Sequence, residues 1–197
     1  MAAELIVLRH GRTAWNAEGR LQGRTDIPLL PETEAALRRL RVPAPYDRWR
    51  WLSSPLIRAR RTAEILSGRA VETHPALIEM DFGAWEGQYL SALRERDPEG
   101  MRENEDRGLD MCPPGGESPR MVMARLRPFL AELAARDERV IAVAHKALIR
   151  ALLAMATGWP MLGRAPVKLD WSALHRFASD NSGDVRLIEA NIPLEAK

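Results

Sequence analysis

The chain has 197 residues, 46% hydrophobic and 28% charged, which excludes a disordered segment and suits one ordinary domain, expected to span 1–197, with a substantial buried core. Lys+Arg 29 against Asp+Glu 27 leaves a net charge of only +2, so there is no global field suited to nucleic acid. The single cysteine, Cys112, excludes an internal disulfide and a thiolate metal site; beside Pro113-Pro114, with no adjacent His or Lys, it reads as an ordinary loop thiol.

Residues 5–8 are an apolar run, too short and too rich in branched side chains for a helix, that stops at Arg9-His10-Gly11. The pattern predicts a buried strand ending in a turn. Ligands bind outside the carboxyl ends of strands in open α/β sheets, and Gly11 lets the backbone turn beneath one. Residues 13–24 are polar and glycine-punctuated, a loop with a short helical turn, the kind of segment that often carries function. Pro31-Glu32-Thr33-Glu34 opens a helix expected to end near Pro43. Residues 49–53 predict a second strand. Ser54-Pro55 then reads as the cap and first position of a helix running to Ser67, with Gly68 as its stop.

Residues 71–73 and 76–80 read as brief extended pieces, and 86–96 as a helix. Asp97-Pro98-Glu99-Gly100 and Pro113-Pro114-Gly115-Gly116 bracket a charged, poorly periodic section that reads as a lid-like excursion shaping the mouth of a site. Ser118-Pro119 starts a helix with Val122, Leu126, Phe129, Leu130 and Leu133 on one face, which Pro128 is expected to kink or split. Residues 140–144 form a fully apolar strand with His145 at its end, ahead of a helix over 147–157. Residues 171–177 and 185–190, separated by Asp180-Asn181-Ser182-Gly183, predict an antiparallel pair. The alternation of strands and helices predicts a doubly wound α/β domain, its sheet mostly parallel with some antiparallel pairing.

Arg9-His10-Gly11, Thr13 and Trp15-Asn16 are followed in order by Gln22-Gly23 and by Ser54-Pro55-Leu56 with Arg58-Ala59 and Thr62-Ala63. Glu79, Phe82-Gly83, Trp85-Glu86-Gly87 and Ala144-His145 complete the series. Over nearly the whole chain this resembles the signature of the histidine phosphatase (phosphoglycerate mutase-like) superfamily. The resemblance implies that family's three-layer sandwich, no cofactor and no metal. It implies a phosphate pocket of Arg9, Arg58, His10 and His145, with Asn16, Gln22 and Gly23 as further substrate-binding residues; Lys146, next to His145, is a substrate-binding candidate particular to this chain. His10 is implied as the nucleophile that forms a phosphohistidine, His145 as the second phosphate-binding histidine, and Glu79 as the acid, with Asp81 and Glu86 as nearby alternatives.

These residue types suit the chemistry: phosphoryl transfer needs charge neutralised around the transferred group, and arginine donates to phosphate in a planar, bidentate way. Nearby guanidinium charge is expected to lower the His10 pKa and free a ring nitrogen for attack. Arg60 and Arg61 read as a solvated helix face, His74 and His175 as structural or exposed, and Trp15 and Trp85 as packing groups. Two positions depart from the family's usual pattern and add positive charge: Lys146 after His145, where glycine is common, and Arg12 after Gly11, where an acid or polar residue is usual.

The expected function is therefore a metal-independent phosphomonoester hydrolase acting on a small phosphorylated metabolite. A phosphoglycerate mutase is the alternative enzyme, disfavoured because the mutases dependent on bisphosphoglycerate look longer between Glu79 and Pro113. A non-catalytic phosphate- or partner-binding module is the alternative of another class. Too few apolar residues precede Arg9 for a signal-peptide core, and no run approaches the roughly eighteen apolar residues of a membrane span, so a soluble, cytoplasmic protein is expected. The sequence leaves the substrate and the oligomeric state open, a homodimer among the options.

Overall fold

The computed structural model describes residues 3–197; Met1 and Ala2, part of the expected domain, lie outside the described residues. Eight strands occur in chain order: β1 (Ala3–Arg9), β2 (Leu40–Arg41), β3 (Arg50–Ser53), β4 (Glu72–Thr73), β5 (Arg139–Ala144), β6 (Leu174–Ser179), β7 (Val185–Ile192) and β8 (Glu195–Ala196). Six of them form one sheet in the order β4-β3-β5-β1-β6-β7, while β2 and β8 pair separately. The first four strands of that order run parallel, and β6 and β7 add antiparallel partners at the β1 edge. This is the doubly wound architecture the alternating pattern predicts.

The two-residue period of a strand explains the layers. Leu5 and Val7 of β1, with Val140 and Ala142 of β5, face α6 (Pro119–Ala135) and α7 (Lys146–Thr157). Ile6, Leu8, Ile141 and Val143 face the opposite way, onto Leu37 of α2 (Pro31–Leu37) and Ala59, Ala63 and Leu66 of α3 (Ile57–Ser67). Both strands are covered on both faces, so they read as continuous apolar runs. From β5 the chain enters α7 on one face, and from β1 it goes on to α2 on the other. Adjacent parallel strands feeding opposite layers create a crevice at their carboxyl ends. Arg9 pairs with Ala144 in the β1–β5 register, and the His10 N–H donates to the Ala144 carbonyl at 3.0 Å, so His10 and His145 leave the sheet side by side.

Several local expectations are corrected. Helix α2 stops at Leu37 because residues 40–41 are drawn into the β2–β8 pair. Helix α3 begins at Ile57 with Leu56 in the capping position, so Ser54-Pro55 stands outside it. Residues 76–80 are extended only in part: Pro75–Leu77 is a 3-10 turn, started by the His74 Nδ1 accepting the Ala76 N–H at 3.2 Å, and the backbone is extended again at Ile78. Helix α4 (Leu90–Arg96) starts later than residue 86, since Gly87 holds a positive φ of 75° and Tyr89 bridges to Arg20. The excursion contains a helix, α5 (Pro98–Glu105), capped by Asp97, whose carboxylate accepts from Gly100 at 3.0 Å; its Met101 packs with Leu93 and Trp85 in a small core of its own. Pro128 does not split helix α6, which the buried face of Val122, Leu126, Phe129, Leu130 and Leu133 holds as one piece. The terminal pair starts at Leu174, residues 171–173 forming a turn.

Candidate active site

The turn after β1 fixes His10. Its Nδ1 lies 2.7 Å from the Gly11 carbonyl oxygen, which can only accept, so Nδ1 carries the ring proton and Nε2 keeps its lone pair. The Gly11 N–H donates to Thr62 Oγ1 at 3.0 Å, and that hydroxyl donates to the Arg58 carbonyl at 2.7 Å, clamping the turn to α3. Burial first, then the charges of Arg58 and Arg9, hold the His10 pKa well below the ordinary imidazole value.

His145 is fully buried, its ring centre 5.0 Å from that of His10 and tilted by 55°. Its Nε2 lies 2.7 Å from Ser54 Oγ, which also accepts the Leu56 N–H at 3.3 Å. Its pKa is likewise held well below the usual value, by burial and then by His10, Arg58 and Arg9. Sequence reasoning gave Ser54 a capping role and so missed this contact; the only available signal was its place inside the quoted Ser54-Pro55-Leu56 motif.

Arg58 projects from the first turn of α3 and is also fully buried. Its Nη1 donates to the Thr25 carbonyl at 2.9 Å and its Nη2 to the Gly23 carbonyl at 2.6 Å. Gly23 therefore supports Arg58 from behind, and a Cβ there would stand 2.8 Å from the Phe82 backbone nitrogen. Thr13 caps the short helix α1 (Ala14–Glu18), and both its hydroxyl and Asn16 Nδ2 donate to Gln22 Oε1, at 2.8 and 3.1 Å. The buried side-chain nitrogens without a hydrogen-bond partner include Arg9 Nε, Gln22 Nε2, Arg58 Nε and His145 Nδ1, all in this cluster. Buried polar atoms are rarely left so, and their convergence suits a ligand rich in acceptors.

Glu79 is 3% exposed and sits at the start of α7. Its Oε1 accepts from Met80 and Leu148 at 2.9 and 3.1 Å, and its Oε2 from Ala147 at 3.1 Å, so it satisfies helix N–H groups that His145, in the capping position, does not reach with its own side chain. Burial raises its pKa above the ordinary carboxyl value, against the pull of those N–H groups and of Arg58. The alternatives are engaged elsewhere. Glu86 accepts from the Arg24 and Thr25 N–H groups, while Asp81 accepts from Gly83 at 2.8 Å and pairs with Arg24 at 3.4 Å.

A cavity of about 1400 Å³ opens over this cluster, and Arg9, His10, Asn16, Gln22, Glu79 and Lys146 are on its wall. Arg58 and His145 are fully buried beside this wall, and Gly23 is not on it. Arg12 lines the cavity and is exposed. The remaining readings fit their surroundings: Arg61 pairs with Glu34 at 2.9 Å, His74 stacks on Phe129 at 4.4 Å, His175 accepts the Asn191 N–H, and Trp85 is core. Sequence reasoning also missed Arg125, which donates to the Ala76 and Ile78 carbonyls at 2.6 Å each and pairs with Glu117 at 3.2 Å. Glu117 in turn accepts from Asp81 at 3.1 Å, so the pair holds the segment on both sides of Glu79. Among the described residues no group of three or more His, Cys, Asp or Glu side chains is placed to hold a metal ion; the groups gathered here are mostly donors.

The α/β fold thus brings together paired histidines at adjacent strand ends, the buried Arg58, the half-buried Arg9 and side-chain N–H donors without a protein partner. The chain belongs to the histidine phosphatase superfamily (branch 1), whose family pattern matches residues 5–190. It is 34% identical over 197 residues to the bifunctional protein Rv2228c of Mycobacterium tuberculosis, covering 93% of this chain but 53% of that protein, about half its length. It is 35% identical over 182 residues to the glucosyl-3-phosphoglycerate phosphatase of the same organism, covering 82% of this chain and 81% of the relative. Among solved structures, mycobacterial hydrolase 1 superposes with a TM-score of 0.78 at 30% identity, covering 98% of this chain and 100% of the other.

Proposed function

We propose that the chain is a metal-independent phosphomonoester hydrolase that works through a phosphohistidine on His10. The observation that carries this reading is the His10 Nδ1 contact to the Gly11 carbonyl, which leaves Nε2 as a free base inside a ring of cationic donors. In the first step the Nε2 lone pair attacks phosphorus, the bond from phosphorus to the ester oxygen breaks, and the departing oxygen takes a proton from Glu79. Glu79 Oε2 accepts only one N–H, which leaves it room for that proton, and burial favours the protonated form. In the second step water attacks phosphorus, the bond to Nε2 breaks, and Glu79 takes the proton back.

Arg9, Arg58 and Gln22 donate to the phosphoryl oxygens and neutralise the charge that metal ions supply in other phosphoryl-transfer enzymes. His145 donates as well. It does so in the tautomer in which the Ser54 hydroxyl donates to Nε2 and the ring proton sits on Nδ1, the atom without a protein partner. A cytoplasmic location, with a small phosphorylated substrate and no nucleic-acid or membrane partner, belongs to the same proposal; among the described residues no helix is long and apolar enough to cross a membrane.

A panel of phosphomonoesters assayed in excess chelator tests the reading. Release of inorganic phosphate is the expected result. Isomerisation of 3-phosphoglycerate without phosphate release would make the protein a mutase, and phosphate binding with no turnover would make it a binding module. Strict dependence on an added divalent metal would refute the mechanism as stated.

A further inference from the structure

The cavity is larger than a phosphate needs: about 1400 Å³, against the roughly 300–1,000 Å³ of most small-molecule sites. One of its walls is α7, which presents Lys146 and Arg150 to it. Positions four apart share a helix face, about 6 Å from one another along the axis. Elsewhere in the chain arginines find carboxylates, as Arg61 does in Glu34, Arg120 in Asp110 and Arg125 in Glu117. Among the described residues, Lys146 and Arg150 have no such partner within 4 Å. Each lies instead against an indole, Lys146 Nζ 5.4 Å from the Trp171 ring centre and the Arg150 guanidinium carbon 4.9 Å from that of Trp159. Burial lowers both pKa values, and the charges of Arg9 and Arg150 press further on Lys146. Glu79, the carboxylate whose charge opposes them at Lys146, is already held by the α7 N–H groups, and Glu105, Asp106 and Asp170 also line the cavity without pairing with either cation; two like charges one turn apart without an ion-pair partner favour an anion that comes from outside. Met161, Leu162 and Trp171 on the same cavity offer apolar surface for the body of such a molecule.

We propose that Lys146 and Arg150 form a second anion subsite, so that the substrate is a phosphomonoester carrying a further negative group, a carboxylate or a second phosphate, beyond the phosphate that is transferred. This rests on the hydrolase reading above. Two matched pairs test it. 3-Phosphoglycerate against glycerol 3-phosphate reads the carboxylate, and fructose 1,6-bisphosphate against fructose 6-phosphate reads the phosphate. The protein is expected to favour the more anionic member of at least one pair by about tenfold or more in kcat/KM, mainly through KM. The double variant Lys146→Ala/Arg150→Gln should bring that ratio close to one, and any loss common to both members divides out. Ratios near one in the unaltered protein, with hydrolysis intact, overturn the subsite and leave the hydrolase reading standing. If none of the four is hydrolysed, calorimetric binding of the same compounds to His10→Ala decides: tighter binding of the anionic member supports the subsite, and equal binding overturns it.

Discussion

Glu79 and Ser54 act on different protons, and their substitutions separate the two. Glu79→Gln keeps an acceptor for the α7 N–H groups but removes the proton for the leaving oxygen. Its kcat should fall by about 10²–10⁴-fold on an alkyl phosphate and far less on p-nitrophenyl phosphate, whose leaving group needs little protonation; equal losses on both would make Glu79 a positioning group. Ser54→Ala removes the hydroxyl that holds the His145 ring. One hydrogen bond of about 1–1.5 kcal/mol sets the scale, so kcat should fall roughly tenfold, with the loss recovered in Ser54→Thr; an unchanged kcat in Ser54→Ala would detach Ser54 from the mechanism. The histidines and arginines were legible in the sequence because strand ends and a known motif mark them. Ser54 was misread because a serine before proline has the same local signal whether it caps a helix or supports a distant side chain.

At the scale of elements, the segment that carries Glu79 has no sheet or helix to fix it beyond the turn Pro75–Leu77. Arg125 on α6 does that work through two carbonyls and Glu117. Arg125→Ala leaves those carbonyls unpaired and should cost about 2–4 kcal/mol, a fall in Tm of several degrees by calorimetry, with a loss of kcat that tracks the displacement of Glu79. A change within a degree would show the segment to be fixed by other contacts. Strands and long helices were legible because two- and 3.6-residue periods reflect burial that the sequence itself encodes. The late start of α4 and the early end of α2 were not, because each depends on a bridge to a remote partner, Arg20 for Tyr89 and Ala196 for Leu40.

For the whole molecule, the buried histidines predict how stability follows pH. Both folded-state pKa values lie well below about 6.5, the unfolded value, so below that pH the unfolded chain takes up protons that the folded one refuses. Their contribution is complete above about pH 6.5 and declines as pH falls toward the folded values. Glu79 is shifted upward and acts in the opposite sense, its contribution complete below its unfolded value near 4.5 and lost as pH rises through the raised folded value. Thermal melts from pH 7.5 to 5.5 should show Tm falling, with a shallower slope in His10→Ala; identical slopes would contradict the assignment of these groups. The cavity's extent was illegible, since it is assembled from segments as distant as Arg12, Arg94 and Trp171, and only the closed fold brings them to one wall.

Covalent transfer to one nitrogen of one histidine is the central claim, and trapping the phosphoenzyme during turnover tests it most directly. Quenching in alkali, followed by peptide mass spectrometry and phosphorus NMR, should find a base-stable, acid-labile phosphoryl group on Nε2 of His10, because Nδ1 is committed to the Gly11 carbonyl. The same experiment on His10→Ala should find none. Phosphate on His145, on Nδ1 of His10, or on no residue while phosphomonoester is being consumed would contradict the account.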